Sequence, residues 1–381
     1  MVSLPKFISF WKMRASFAEV GGPINYIGLT PGTVTDPMKG GVINPISVYP
    51  FPNFKAEQTK SYELGTNLRL FNNKINIDAT VYLTDTYNQT FLSSMSPASG
   101  YSGFYVQAGK VRNKGIELSL GYNDRFGKVG YATNLTYTAN RNKIMKMVHD
   151  YKNPSDGSLF SITELTLQDK GGVYLREKDA IGDVYVKGIL ARGKDGKLIE
   201  EEGGYKVDRS QRIKIGSVNP DFSIGWRHNV TWNNITLDLL FNGRFGGIVT
   251  SSTQAFLDDY GVSKDTYKAR QNGGVWVNGT QYDAEKYYTT IGGEQLMAYY
   301  AYKATNIRLQ EASLSYTLPG KWFGNVINRL TVSAIGRNLW MFYNKAPFDP
   351  EMTSSTGTYN RGDVFMPPSL RSVGFSVKIE L

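Results

Sequence analysis

The feature that most constrains this chain is a period-two alternation of apolar and polar residues. In one segment, Tyr62, Leu64 and Leu68 alternate with Glu63 and Arg69. Because successive side chains of a strand point to opposite faces, the pattern predicts a strand with one apolar and one polar face. Segments of about ten residues are long enough to span an outer membrane. About ten such strands are predicted, centred on Trp11–Ala18, Tyr62–Leu70, Ile75–Leu83, Ile116–Tyr122, Tyr131–Thr138, Phe222–Trp232, Ile235–Asn242, Ile307–Tyr316, Leu330–Trp340 and Ser372–Leu381.

One of these strands changes phase part-way along its length. Ile307 and Leu309 occupy odd positions, whereas Leu314 and Tyr316 occupy even ones. An extra residue in one strand restores the alternation on a single face, so a β-bulge is predicted near Gln310–Glu311.

The connections between the predicted strands alternate in length. An up-and-down membrane barrel has short periplasmic turns and long extracellular loops, whereas a soluble β-sandwich has no reason for such asymmetry. The alternation therefore predicts an all-β, antiparallel, up-and-down transmembrane β-barrel. The short turns are Phe71–Lys74, Asp124–Lys128, Trp232–Asn234 and Gly320–Asn328, and the long loops are Glu19–Lys55, Thr90–Lys110, Met145–Asn219, Gly246–Thr305 and Phe342–Ser369.

Composition agrees with a barrel and excludes several other classes. The chain holds 40 Gly, 25 Tyr and 19 Phe, and it has no apolar run long enough for a transmembrane helix. It has no Cys, which removes disulfides, thiolate catalysis and Cys-ligated zinc. Helix patterns are poorly represented throughout, which argues against helix-based DNA readers.

The net charge of +10 comes from basic residues scattered along the chain. A nucleic-acid site would need them clustered on one face, so a wet barrel lumen is favoured and no nucleic-acid partner is predicted.

At the N-terminus, Phe7–Trp11 is too short for a secretory signal and precedes Lys12 and Arg14. The prediction is a fragment whose signal peptide lay upstream.

No catalytic, cofactor or metal site is predicted. Only two histidines occur, His149 and His228, so a zinc motif of the HExxH type cannot be built. The segment Gly193–Lys197 looks like a phosphate loop but lacks the Lys-Ser/Thr pair and a following helix. Asp195-Gly196 instead predicts a hairpin turn. The prediction is that the protein is not an enzyme.

The loop at 256–302 is the best candidate for ligand or partner contact because it is rich in aromatic residues. Aromatic faces stack on sugar rings, and the same residues suit an interface with a lid protein. Internal packing of a large loop is the third interpretation, and the sequence leaves all three open. The candidates are Trp276, Tyr282, Tyr287, Tyr288, Tyr299, Tyr300 and Tyr302.

Charged residues on the polar face of the strands are predicted to line the lumen. They are Arg69, Glu117, Arg227, Asp238 and Arg244.

Several motifs, in the same order along the chain, resemble the C-terminal barrel of the SusC/RagA family of TonB-dependent transporters. The most specific is Asn113-Lys114-Gly115-Ile116-Glu117. Each motif alone is weak, but their joint order covers nearly the whole chain. The others are Lys12–Phe17, Ser61–Gly65, Ile215–Phe222, Asn306–Leu309 with Leu314–Pro319, Gly336–Leu339, Asp349–Glu351 and Pro367–Arg371.

The resemblance implies that residues 1–381 are the last ten or so strands of a 22-stranded barrel. The plug domain and signal peptide are predicted to be missing from this chain. It also implies a gram-negative outer membrane and uptake of oligosaccharides or peptides. A SusD-like surface lipoprotein acts as the lid, and the TonB complex is reached through the missing N-terminal region. The alternative is a non-transporting, adhesin-like barrel or an inactive truncated remnant.

Overall fold

The computed structural model describes residues 5–23, 34–35, 43–44, 48–49, 55–152, 157–167, 173–324, 326–355 and 362–381. Ten antiparallel strands lie side by side in sequence order, and the short strand Val48–Tyr49 joins the fourth of them as an eleventh. The predicted up-and-down topology is thereby confirmed. The strands are β1 Ile8–Gly21, β2 Gln58–Leu70, β3 Ile75–Ser94, β4 Gly103–Phe126, β5 Val129–Lys146, β6 Phe222–Trp232, β7 Ile235–Phe245, β8 Asn306–Pro319, β9 Arg329–Asn344 and β10 Ser372–Glu380.

The strand register brings the apolar residues of all ten strands onto one face. Leu64 lies opposite Val81, which lies opposite Ile116 in the next strand. Across the other half of the sheet, Leu314 lies opposite Ala334. This face, called the apolar face below, carries exposed side chains in both halves of the sheet, with Leu64 at 50% and Leu314 at 55% of full exposure. Exposed apolar surface of this extent is expected where lipid replaces water.

The opposite side of the sheet, called the polar face, carries the other residues of each alternating pattern. Asn67 lies opposite Asp78, which lies opposite Ser119. The phase change in β8 is resolved as predicted: Leu240 pairs with Glu311 and Phe241 pairs with Leu309, so Gln310 is the extra residue of a bulge.

Within the described residues the sheet has two free edges. β1 pairs only with β2, and β10 pairs only with β9. A strand edge leaves backbone N–H and C=O groups without partners, and closed barrels remove this problem by pairing the first strand with the last. The ten described strands therefore form an open sheet and not a closed ring.

The prediction of one long loop was wrong. β3 runs to Ser94 and β4 starts at Gly103, so most of the segment Thr90–Lys110 is strand. The two strands continue beyond their predicted ends, where Phe91 and Val106 are buried in a core. The predicted loop Glu19–Lys55 lies largely outside the described residues.

The loop between β7 and β8 contains helices that the sequence patterns did not predict: α1 Ser252–Asp259, α2 Lys264–Gln271 and α3 Ala284–Gly293. Their N-terminal N–H groups are capped by Ser251, Ser263 and Asp283. In the described part of the chain, no helix combines the length and apolar character needed to cross a membrane.

Short strand pairs build the remaining loop structure. Their bounds are Val34–Thr35 with Ile43–Asn44, Val148–Lys152 with Leu159–Ile162, Glu164–Thr166 with Tyr174–Arg176, Asp183–Leu190 with Val207–Ser217, Glu200–Glu201 with Gly204–Tyr205, Val275–Val277 with Thr280–Tyr282, and Ile248–Ser251 with both Ala301–Lys303 and Gly362–Asp363.

Candidate functional site

Opposite charges neutralise each other along the polar face. Arg14 Nη2 lies 2.7 Å from Asp78 Oδ1, and Asn67 donates to Asp78 Oδ2 at 2.9 Å. On the same face, near the opposite edge of the sheet, the guanidinium of Arg337 lies 2.8 Å from Glu311. Side chains that are paired in this way present a wet surface of hydrogen-bonding groups with little net charge.

The residues predicted to line the lumen are placed in different settings. Arg227 and Asp238 face each other at 3.4 Å on the polar face. Arg69 stacks over the ring of Phe10, and Arg244 donates to a backbone carbonyl at 2.6 Å. Glu117 is exposed on β4.

A cavity of about 590 Å³ lies where the polar face meets the long loops. Asn140 and Asn142 of β5 contribute its strand side, and Asp183, Asn219 and Lys303 contribute its loop side. We call it the mouth cavity. Its lining offers amide and charged groups without an aromatic ring, which suits a ligand held by hydrogen bonds.

Two long loops pack on each other above the sheet and form a single body, called the cap: the described residues of 147–221 and 246–305. The backbone N–H of Leu198 donates to the Tyr282 hydroxyl at 3.0 Å, and that of Leu190 donates to the Tyr299 hydroxyl at 3.0 Å. Arg209 and Glu294 form an ion pair at 2.6 Å. The third long loop is tied to them, because Ile248–Ser251 pairs in parallel with Gly362–Asp363.

The seven aromatic candidates are divided between the interior and the surface of the cap. Tyr282, Tyr287 and Tyr300 are buried in its core, together with Leu190, Leu198 and Leu296. Tyr288, Tyr299 and Tyr302 are half-buried against that core, whereas Trp276 is 63% exposed. Contact of these residues with a ligand or partner stays a prediction. Trp276 is the candidate whose ring is most open to another molecule.

Glu177 ties two parts of the first cap loop together, next to the end of β5. Its carboxylate accepts from the Met147 backbone N–H at 3.0 Å and lies 2.5 Å from His149 Nε2. Lys178 Nζ lies 3.3 Å from the other carboxylate oxygen. Partial burial acts to raise the pKa of Glu177, but these three hydrogen bonds outweigh it and lower the pKa to about 2.

Glu177→Gln is expected to destabilise the chain by about 1–3 kcal/mol at pH 7. Since the folded pKa lies below the ordinary value of 4.5, the carboxylate stabilises the fold fully above that pH. Its contribution is lost as the pH falls through 4.5 towards 2. Denaturant unfolding of both proteins at several pH values checks this. A difference that stays constant from pH 7 to pH 3 would contradict it.

A buried ion pair connects two motifs that lie about forty residues apart in the sequence. Arg308 Nη2 lies 2.8 Å from Asp349 Oδ1, and the two side chains are 5% and 8% exposed. Asn306 Oδ1 accepts from Arg308 at 3.0 Å, and Glu351 lies 3.6 Å from the guanidinium. The pair holds the third long loop against the start of β8. The only hint of this pair in the sequence was Arg308 itself, which stands between Ile307 and Leu309. Nothing in the sequence identified Asp349 as its partner.

Among the described residues, no group of three or more His, Asp or Glu side chains is arranged to hold a metal ion. The segment Gly193–Lys197 forms a turn, with the Gly193 N–H bonded to Lys197 O at 2.9 Å and Gly196 at a φ of 81°. The predicted hairpin turn is therefore confirmed.

Comparison with known proteins decides the family. A family model described as TonB dependent receptor-like, beta-barrel, matches residues 3–239. The chain belongs to the TonB-dependent receptor family. TonB-dependent receptor P3 of Formosa agariphila is 24% identical over 373 residues, which is 90% of this chain and 36% of that relative. TonB-dependent receptor P39 of the same organism is 22% identical over 415 residues, 95% of this chain and 38% of the relative.

Solved structures share the fold of this TonB-dependent receptor chain. The RagAB peptide importer in its closed-closed state superposes with a TM-score of 0.74 at 18% identity, over 99% of this chain and 41% of that one. Its open-open state gives 0.74 at 19% identity with the same coverage. The resemblance derived from the motifs is thereby confirmed. The chain spans well under half the length of these relatives, and its assignment as the C-terminal barrel portion stays a prediction.

Proposed function

We propose that this chain forms part of an outer-membrane importer that takes up oligosaccharides or peptides in a TonB-dependent manner. The carrying observation is the mouth cavity, which is lined by strand residues of the polar face on one side and by cap residues on the other. A cargo with many hydroxyl or amide groups can exchange its water contacts for the Asn140, Asn142 and Asn219 side chains there. Arg141 and Asp221, paired at 2.6 Å, add a charged rim without a large net charge.

A SusD-like surface lipoprotein that covers the cap is the second part of the proposal. The cap exposes large aromatic side chains, among them Tyr260, Tyr267 and Trp276. Exposed aromatic rings on a rigid body are typical of protein interfaces. The third part of the proposal is coupling to the TonB complex. The family resemblance assigns this coupling to an N-terminal region that carries the plug. RagAB, which shares the fold, is a peptide importer, and this supports peptide as one of the two cargo classes.

Trp276→Ala is expected to weaken binding of the SusD-like lipoprotein of the same bacterium about thirtyfold, as for a central interface tryptophan. Trp322→Ala is the matched control, because that ring is 64% exposed at the opposite, short-turn end of the sheet. Surface plasmon resonance with the purified chain in detergent measures both. Equal affinities for both variants, or no complex with the unaltered chain, would overturn the partner assignment.

A further inference from the structure

A connected series of polar and aromatic side chains rises on the apolar face from the short-turn end of the sheet. Lys74 Nζ lies 2.7 Å from Asp124 Oδ2, and the Tyr122 hydroxyl donates to the same oxygen at 3.2 Å. The rings of Tyr122 and Tyr131 are 6.2 Å apart, and the Tyr131 hydroxyl lies 2.9 Å from His228 Nδ1. We call these five residues the rim patch.

The rim patch belongs to the face that contacts lipid. Tyr122 lies opposite Ile75, and Asp124 lies opposite Tyr131, so these side chains share the side of the sheet that carries Ile116. An ion pair on this side is costly at mid-membrane but inexpensive at the interface. Because Lys74 and Asp124 lie next to short turns, this end of the patch lies at the depth of lipid headgroups, and the Tyr131 hydroxyl and His228 lie further along the sheet towards the membrane interior.

Cations outnumber anions around the rim patch. The hairpin at Gly127-Lys128 connects β4 to β5 directly beyond Asp124 and Tyr131, and Lys128 is exposed there. The Arg125 guanidinium is also exposed and donates to the backbone carbonyl of Gly127 at 3.2 Å. Lys74 and Lys128 thus lie at the same end of the sheet as the carboxylate of Asp124, whereas Arg125 alternates onto the polar face. Exposed rings at the same level are those of Phe126 and Trp232.

We propose that the rim patch binds the headgroup of an anionic glycerophospholipid in the leaflet on the short-turn side. The ammonium groups of Lys74 and Lys128 complement the phosphodiester, because basic side chains at a membrane surface attract anionic lipids. With His228 Nδ1 accepting from the Tyr131 hydroxyl, its Nε2–H donates to an ester oxygen of the same lipid. The acyl chains lie along the exposed ring of Trp226, 4.3 Å from the imidazole. This site is separate from the proposed cargo path.

The test is a lipid titration of the full chain in detergent, followed by native mass spectrometry. Phosphatidylglycerol is the anionic probe and phosphatidylcholine the zwitterionic one. The double variant Lys74→Gln, Lys128→Gln is expected to bind phosphatidylglycerol about twentyfold more weakly, roughly fivefold for each lysine removed. The matched control, Lys143→Gln with Lys146→Gln, removes two exposed lysines at the long-loop end of β5 and is expected to change the affinity less than twofold.

The single variant Lys128→Gln tests lipid binding with little risk of misfolding, because Lys128 is exposed at a hairpin tip. It is expected to weaken phosphatidylglycerol binding about fivefold with an unchanged far-ultraviolet circular dichroism spectrum. Equal affinity of the unaltered chain for the two lipids would overturn the proposal. So would an equal loss in the rim and control variants, since that result would indicate attraction by overall charge and not by the rim patch.

Discussion

Asp349→Asn is expected to lower the free energy of unfolding by about 3 kcal/mol. The substitution leaves the Arg308 guanidinium buried without its main carboxylate partner. Breaking one side of a buried ion pair is costly because the remaining charge is neither solvated nor paired. Glu351, at 3.6 Å, compensates for part of the loss, so the effect falls at the low end of the usual range.

The matched control for this prediction is Glu311→Gln, which breaks the exposed pair with Arg337 at 2.8 Å. Exposed pairs contribute less than about 1 kcal/mol, so the control is expected to stay close to the unaltered protein. Denaturant unfolding in detergent measures both, and hydrogen exchange locates the loss around Asn344–Glu351. An Asp349→Asn protein as stable as the Glu311→Gln protein would show that the buried pair does not hold the loop.

The double substitution Arg308→Met, Asp349→Leu separates charge from packing. Replacing both partners by apolar side chains removes the uncompensated charge, so this variant is expected to be more stable than Asp349→Asn alone. A further loss in the double variant would indicate that hydrogen bonds to Asn306, at 3.0 Å, account for the stabilisation.

The ten strands could be predicted from the sequence because each carries its own signal. Alternation with a period of two is local, and it holds wherever one face meets lipid and the other water. The bulge at Gln310 was visible for the same reason, since Leu309 and Ala312 cannot share a face without an extra residue. Strand ends were harder to predict, because β3 and β4 continue into a protein core in which Phe91 and Val106 are buried.

The cap could not be predicted in the same way. The hydrogen bond from Leu198 to Tyr282 joins residues 84 positions apart, and the one from Leu190 to Tyr299 joins residues 109 apart. A local hydrophobic periodicity in the sequence cannot indicate contacts between residues so far apart. The aromatic residues of 256–302 were recognisable as a group, but only the fold separates buried Tyr287 and Tyr300 from exposed Trp276. The helices α1 and α2 have eight residues each, too few for a clear helical pattern.

Leu314→Arg is expected to destabilise the chain by about 2–4 kcal/mol in lipid vesicles. Leu314 lies on the apolar face of β8, five residues before the strand ends at Pro319. With a strand tilt of about 40°, this places it about 13 Å from the short-turn end, close to the middle of an apolar band about 25 Å tall. An arginine there must either enter hydrocarbon without a partner or pull water into the membrane.

Ser313→Arg is the companion variant, because Ser313 is the adjacent residue on the polar face, opposite Asp238 of β7. The same side chain is introduced one residue away, so the comparison isolates which face meets lipid. The decisive measurement is the free energy of unfolding of both variants in phospholipid vesicles. We expect a large loss for Leu314→Arg and a change below about 1 kcal/mol for Ser313→Arg. Equal losses, or a larger loss at Ser313, would contradict a membrane-spanning sheet with its apolar face in lipid.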